Sequence, residues 1–366
     1  MKGQWLGKYV GTVTGKIMLN IDEVDGVFEG VAYLHPDKKE VPGTIAYFRT
    51  EDKAAKSSVT ASTFPIDPGS GFQTSWEEIK QFFPGMSHSK SAVVNFSING
   101  DELAVDATTD IEVKVKASLT RPPNNSETKI SGQKMSWSDF KDYVGNISNS
   151  GYLFRGQQKP WPLCTSFHRR GRYRISEFTS KDVKQLHQRL SSITNHLFDL
   201  NMPEQNGAFF NLLQHHGYPT PLLDWSHSPY VAAFFAFRDR PIGSKESGAI
   251  RIYLFNNREW QKRYRQLQNI DPAFPHLSVM EFISIDNPRT VPQQAVTTVT
   301  NIHDIEAYLI EKEKESGISF LKAVDIVASE RENTMSDLRF MGITAGSMFP
   351  SIEGVCEELR ERNFDM

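Results

Sequence analysis

The chain has 366 residues, with 41 Lys and Arg against 44 Asp and Glu and a formal net charge of −3. That length is enough for two or three domains with a sizeable core. The near balance of charge argues against electrostatic capture of nucleic acid or an anionic membrane.

Cys164 and Cys356 are far apart, and there is no Cys-x-x-Cys pair. They read as free thiols in a reducing cytosol, too few for structural zinc. The start, Met1 to Trp5, has no apolar leader, and no uninterrupted apolar window reaches membrane-spanning length. The expectation is a soluble, cytoplasmic protein without a membrane span.

Residues 1–120 read as β structure. Alternating apolar and polar residues predict strands over Gly7–Val13, Gly15–Asp22, Gly26–Tyr33 and Ile45–Arg49. Val93–Ile98 and Leu103–Asp106 form a hairpin around Asn99-Gly100-Asp101. Ile111–Ala117 is the clearest period-two strand, with branched residues on one side and charges on the other. Short strands with Gly-rich turns predict a barrel or sandwich. One helix, Ser75–Phe83, interrupts them, with Ser75 as its N-cap.

Residues 121–135 read as a linker, because Arg121–Thr128 offers prolines, asparagines and a serine but no apolar face. Residues 136–366 mix helices and strands, an α+β pattern. Ser136–Ile147 is a short helix capped by Ser136 or Ser138, and Tyr152–Arg155 is a strand. Ser180–Leu200 places Val183, Leu186, Leu190, Ile193, Leu197 and Leu200 on one helical face. Gly207–His215 continues helically, with Gly217 as the stop and Pro219 and Pro221 holding an extended turn. Ser228–Phe237 is a small-residue helix. Ala249–Phe255, Val279–Ile285 and Phe320–Ile326 are strands, Asp304–Lys314 is a helix, and the tail is helical.

Two blocks carry chemistry. In Phe154-Arg155-Gly156-Gln157, Arg155 is placed to hold a phosphate or carboxylate in two-pronged fashion, or to pair with Asp224. Gly156 allows close backbone approach of a ligand. The second block runs from Leu213 through His215, His216 and Asp224 to Ser226. Adjacent histidines cannot both point inward from a helix, since neighbours sit about 100° apart. A neutral His there can bond a ribose hydroxyl, act as a base, or be structural. Asp224 orients His215, pairs with Arg155, or shares with Ser226 the capping of the next helix. Arg169 is a second anion clamp or a surface Arg within the basic run His168–Arg174, and the amides of Gln157 and Gln294 suit base or amide recognition. Adjacent histidines make a poor metal site, so no metal is expected.

These blocks resemble the FRG domain family, named for the Phe-Arg-Gly motif. Gln214-His215-x-Gly217-x-Pro219-Thr220-x-Leu222-Leu223-Asp224-Trp225-Ser226 is similar to its central stretch. Trp161–Arg169, Ser228–Ala236, Arg289 with Gln293-Gln294, and Gly342-Ile343 with Phe349–Gly354 resemble its remaining elements in order. Pro221 stands where an Arg is usual, and Ala295 where a Gly is usual.

The resemblance extends at fold level to ADP-ribosyltransferases. It implies that Arg155 grips NAD as substrate, with His215 selected as the inward histidine, Ser226 on the strand beside nicotinamide, and Gln294 in the late catalytic place, with Glu281 as the acidic alternative. It implies a nucleotide-using effector of bacterial toxin or phage-defence systems, with the β domain facing a protein target. The other reading is a module that binds a nucleotide or partner without chemistry.

Overall fold

The computed structural model describes residues 1–121, 127–147, 151–239, 248–285 and 287–364. Pro122–Ser126 of the expected linker lie outside the described residues.

The N-terminal region is a closed barrel of eight antiparallel strands, each paired with the next. They are β1 Gly3–Gly11, β2 Gly15–Val24, β3 Val27–Pro36, β4 Thr44–Arg49, β5 Lys56–Pro65, β6 Ser91–Asn99, β7 Glu102–Thr109 and β8 Lys114–Thr120. β1 closes onto β8 with Tyr9 opposite Ala117. Closure removes the exposed edges that an open sheet would present. Period two fills the interior: Val115, Ala117 and Leu119 of β8 face inward with Trp5, Tyr9, Leu19 and Phe96.

β5 escaped the sequence reading because its alternation consists of Ser and Thr rather than charge. β8 starts later than expected. Glu112 takes a left-handed φ of 60°, in a turn closed by its N–H donating to the Thr109 carbonyl. The helical insert is α1, Trp76–Ile79, followed by a 3-10 turn. Ser75 occupies the cap position but accepts no side-chain hydrogen bond.

The second region is a mixed seven-stranded sheet, in the order β13-β14-β11-β10-β12-β15-β9. Its first strand, β9 Gly132–Met135, lies within the segment expected as linker and pairs in parallel with β15 Leu321–Val327. The other strands are β10 Tyr152–Gln157, β11 Leu222–Ser226, β12 Ala249–Asn256, β13 Leu277–Met280 and β14 Ala295–Thr300.

Helices pack around this sheet. α2 Trp137–Ile147 begins with the Ser136 hydroxyl accepting from the Asp139 N–H at 3.1 Å. α3 Ser166–Arg169, α4 Ile175–Glu177, a π turn and α5 Val183–Leu190 follow, then α6 Pro203–His215 and α7 Pro229–Phe237. The chain continues with α8 Asn257–Arg263, α9 Ile305–Ser316, α10 Arg331–Phe340, α11 Ala345–Met348 and α12 Ile352–Phe364. Among the described residues no helix is long and apolar enough to cross a membrane.

The helix expected to run to Leu200 ends at Leu190. Ser191, Ser192 and Thr194 turn their hydroxyls back onto the carbonyls of Gln188, Arg189 and Leu190. Such local bonds compete with helix propagation. Ile193 and Leu197 are left exposed.

Barrel and sheet meet over an apolar cluster that joins Met18, Val31, Tyr33 and Ile45 to Ala273 and Ile302. Gln4 stitches the joint. Its amide donates to the Asn301 carbonyl at 2.7 Å and its oxygen accepts from the His303 N–H at 2.9 Å. The Tyr173 N–H donates to Asp22 at 2.7 Å, and Arg174 pairs with Glu29. Beneath the joint, the fully buried Glu306 carboxylate accepts from the Thr128 hydroxyl, the Leu163 N–H and the Tyr253 hydroxyl at 2.8 to 3.1 Å. It also accepts from the Lys129 N–H, so it ties the end of the connecting segment to the sheet.

Candidate functional site

A cavity of about 1370 Å³ opens between the barrel and the second sheet. Its origin lies in the pairing of β10 with β11. The two strands are in register at one position, Phe154 opposite Ser226. β11 otherwise follows β14, and β10 follows β12 over its whole length. The strands therefore splay, and the Arg155 guanidinium spans the gap, donating to the Asp224 carbonyl at 2.6 Å.

Arg155, Gly156, Gln157, Arg169, His215, Asp224 and Ser226 all line this cavity. Two strands and two helices bring them together from 72 positions of sequence. β10 carries Arg155 in its interior rather than at its end, because the strand runs on to Gln157.

Gly156 answers to packing as well as to the cavity. A Cβ there would lie 1.8 Å from the Ala232 carbonyl oxygen of α7, so the glycine admits that helix against the strand.

Neither Asp224 nor Ser226 caps α7. Ser228 does, with its hydroxyl accepting from the Val231 N–H. The Ser226 hydroxyl donates to the Gln293 carbonyl at 2.8 Å and accepts from the Ser228 N–H at 3.0 Å, which anchors the strand end. Asp224 is open to the cavity while protein encloses the cavity around it. Desolvation raises its pKa, opposed by the Arg155 charge and by a hydrogen bond from Gln214.

Arg169 donates to the Cys164 carbonyl at 2.9 Å, and Arg289 stacks its guanidinium over Phe349 at 5.0 Å. Among the described residues, Arg155, Arg169 and Arg289 make no ion pair with a carboxylate within 4.0 Å. Their neighbours in the basic run differ: Arg172 pairs with Asp182, and Arg174 with Glu29 and Glu177. Burial lowers the Arg155 pKa, the Asp224 charge opposes that shift and the Arg169 charge adds to it; an anion beside the two arginines would offset the lowering further.

His215 faces the cavity half-buried, and His216 is exposed. Desolvation, then Arg289, then His216 bring the His215 pKa down to about 4, so the ring is neutral near pH 7. The Gln157 side-chain oxygen is buried without a hydrogen-bond partner. The Cys164 thiol is pushed up to about 11 by burial, which leaves it protonated and a poor nucleophile.

Two expected residues do not join this group. β13 ends at Met280, and Glu281 follows it in open backbone with its side chain 75% exposed and 3.7 Å from the His227 ring. Gln294 has a left-handed φ of 46° and offers its backbone carbonyl to the His227 N–H. Its neighbour Gln293 reaches the cavity instead. Their placement has one cause: the chain leaves regular structure between β13 and β14, where strand periodicity no longer says which way a side chain points.

Sequence reasoning missed Gln4, Leu6, Tyr173 and His303 of the cavity wall. Alternation in β1 put Leu6 on the outer face of the barrel, but no local signal says that another domain covers that face. The six positions from Thr297, opposite Asp224, to His303 span up to about 20 Å at roughly 3.3 Å each. Among the described residues no group of three or more His, Cys, Asp or Glu is arranged for a metal ion.

No curated protein and no solved structure matches this chain. The FRG domain family matches residues 150–244, which hold β10, β11, Arg155, His215 and Asp224, and the chain thus carries an FRG domain within its C-terminal α+β region.

Proposed function

We propose that the cavity binds a phosphate-bearing dinucleotide, NAD, and that the chain acts on it as an ADP-ribosyltransferase-like enzyme. The observation that carries this reading is that three arginines without a carboxylate ion pair, Arg155, Arg169 and Arg289, line one cavity together with the Asp224 carboxylate. Guanidinium groups suit a pyrophosphate, which they hold by paired hydrogen bonds. The cavity exceeds the roughly 300–1,000 Å³ of ordinary small-molecule sites, which favours an elongated ligand.

In this reading the bond between nicotinamide nitrogen and ribose C1′ breaks, and its electron pair leaves with neutral nicotinamide. Positive charge develops on the ribose, and Asp224 is the carboxylate available to stabilise it. The unpartnered Gln157 oxygen accepts from the nicotinamide amide. Neutral His215 takes the proton of the group that attacks C1′. The chemistry suits an effector in bacterial toxin or phage-defence systems.

The test is binding of NAD by calorimetry together with nicotinamide release. Arg155→Ala should weaken binding about 10- to 100-fold, the loss of a charge-assisted hydrogen-bonding pair. Asp224→Asn should retain binding and lose release, and Glu281→Ala should change neither. A second reading, a binding module without turnover, draws on the exposed position of Glu281. Tight binding with no release by the wild-type protein would establish that reading. Absence of binding would sink both.

A further inference from the structure

The arginines occupy the FRG end of the cavity. The barrel end is built differently. Leu6 of β1 and Trp161 line it while keeping 39% and 47% exposure. Tyr173 and His303 meet there edge to face, with ring centroids 5.3 Å apart and planes at 86°. Tyr308 of α9 adds a fourth aromatic ring. His303 lies at the barrel because its N–H donates to Gln4. Burial lowers the His303 pKa, so its ring serves as a neutral aromatic surface.

Lys129 and Arg121, the cations at this end, are engaged already. Lys129 pairs with Asp304 at 2.6 Å. Arg121 donates to the Lys2 carbonyl, pairs with Asp101, and lies over Trp5 at 5.2 Å. This end therefore offers flat apolar faces with its cations already paired, whereas the far end offers free cationic charge.

We infer that the barrel end is a base-binding subsite: the Leu6, Trp161, Tyr173 and His303 surfaces take the heteroaromatic base of the nucleotide whose phosphates lie at Arg155. Aromatic faces stack bases with little regard to their identity, for about 1–3 kcal/mol each. Thr297, opposite Asp224, and His303 are separated by at most about 20 Å of chain, and one cavity joins the two ends, so a ligand with a charged middle and a ring at its end can reach both. The barrel is thus half of the binding site. This inference rests on the nucleotide reading above.

The experiment compares ADP-ribose with ribose 5-phosphate, two probes that share a sugar phosphate and differ by the adenosine phosphate end. Wild-type protein should bind ADP-ribose at least tenfold more tightly. Leu6→Trp fills the barrel end from a partly exposed position, and Trp161→Ala removes one of its faces. Both variants should cut the preference to threefold or less, with ribose 5-phosphate affinity and the melting temperature unchanged. A preference that survives both variants while Arg155→Ala abolishes binding would overturn this inference and leave the nucleotide reading standing. Failure of wild-type protein to bind ADP-ribose would overturn the two together.

Discussion

The barrel and the FRG-bearing sheet handle polar groups in opposite ways. In the barrel every strand has two neighbours, and the interior is filled by Trp5, Phe96, Leu103 and Leu119. Its charges sit outside in exposed pairs such as Lys53–Glu23 and Lys116–Asp106. Such pairs contribute little to stability. In the second region the sheet splits between β10 and β11, and the gap holds Arg155 with its Nε unpartnered. A closed surface is built to be stable and docked upon. A split sheet leaves charge unsatisfied where a ligand can satisfy it.

The strongest way to break this contrast is at the barrel core. Trp5 is fully buried, and its indole N–H donates to the Met1 carbonyl at 2.9 Å. Trp5→Ala should cost about 3–5 kcal/mol in denaturant unfolding. One transition for the whole chain would follow from the cluster shared by Tyr33, Ile45, Ala273 and Ile302. A separate early transition, with the second region intact, would show that the barrel folds alone and that the joint contributes little.

The joint itself carries a pH signature. Burial pushes Asp271 up to about 8, and the Tyr33 hydroxyl lies 3.5 Å away. A carboxyl raised above its unfolded value of 3.8 binds more protons folded than unfolded. Its contribution is therefore most favourable below pH 4 and is lost as pH rises toward 8. Asp271→Asn should be neutral near pH 4. By pH 6 it should stabilise by at most about 3 kcal/mol, at roughly 1.4 kcal/mol per pH unit, the figure being reduced by partial solvent access. A melting-temperature difference that does not change between pH 4 and pH 6 would refute the assignment.

Gly156 sharpens the comparison from the other side, with an effect of about 1–3 kcal/mol. Gly156→Ala pushes a methyl into the Ala232 carbonyl of α7 and should displace that helix. Melting should fall, and so should NAD binding, since Arg155 and Gln157 flank the position. Unchanged binding beside a lowered melt would separate the helix packing from the site. The Arg155→Ala change described above should be smallest of all in stability. Its guanidinium packs half-buried with one hydrogen bond, so the melt should shift by about 1 kcal/mol or less while ligand affinity drops.

Much of the molecule was legible in local pattern. Period-two alternation marked most barrel strands. The run of Ala and Phe after Ser228 marked α7, and Gly217, with its φ of 80°, marked the end of α6. The grouping of Arg155, His215 and Asp224 was legible because each belongs to a compact block of mixed polar and aromatic residues. What local pattern could not supply was direction in irregular backbone and contact across long separations. Glu281 and Gln294 lie in such backbone and turn elsewhere. Ile193 and Leu197 fit a helical face, but serine and threonine hydroxyls had already ended the helix. Gln4 reaches Asn301 across 297 positions, and nothing near either residue announces the partner. Residue types and their periods thus determined which elements form, because those preferences are local. Tertiary structure decided that β10 and β11 part after one pair, and that Leu6 and His303 line the opening. Both depend on how the two sheets pack, and packing is a property of surfaces brought together only when the chain is folded.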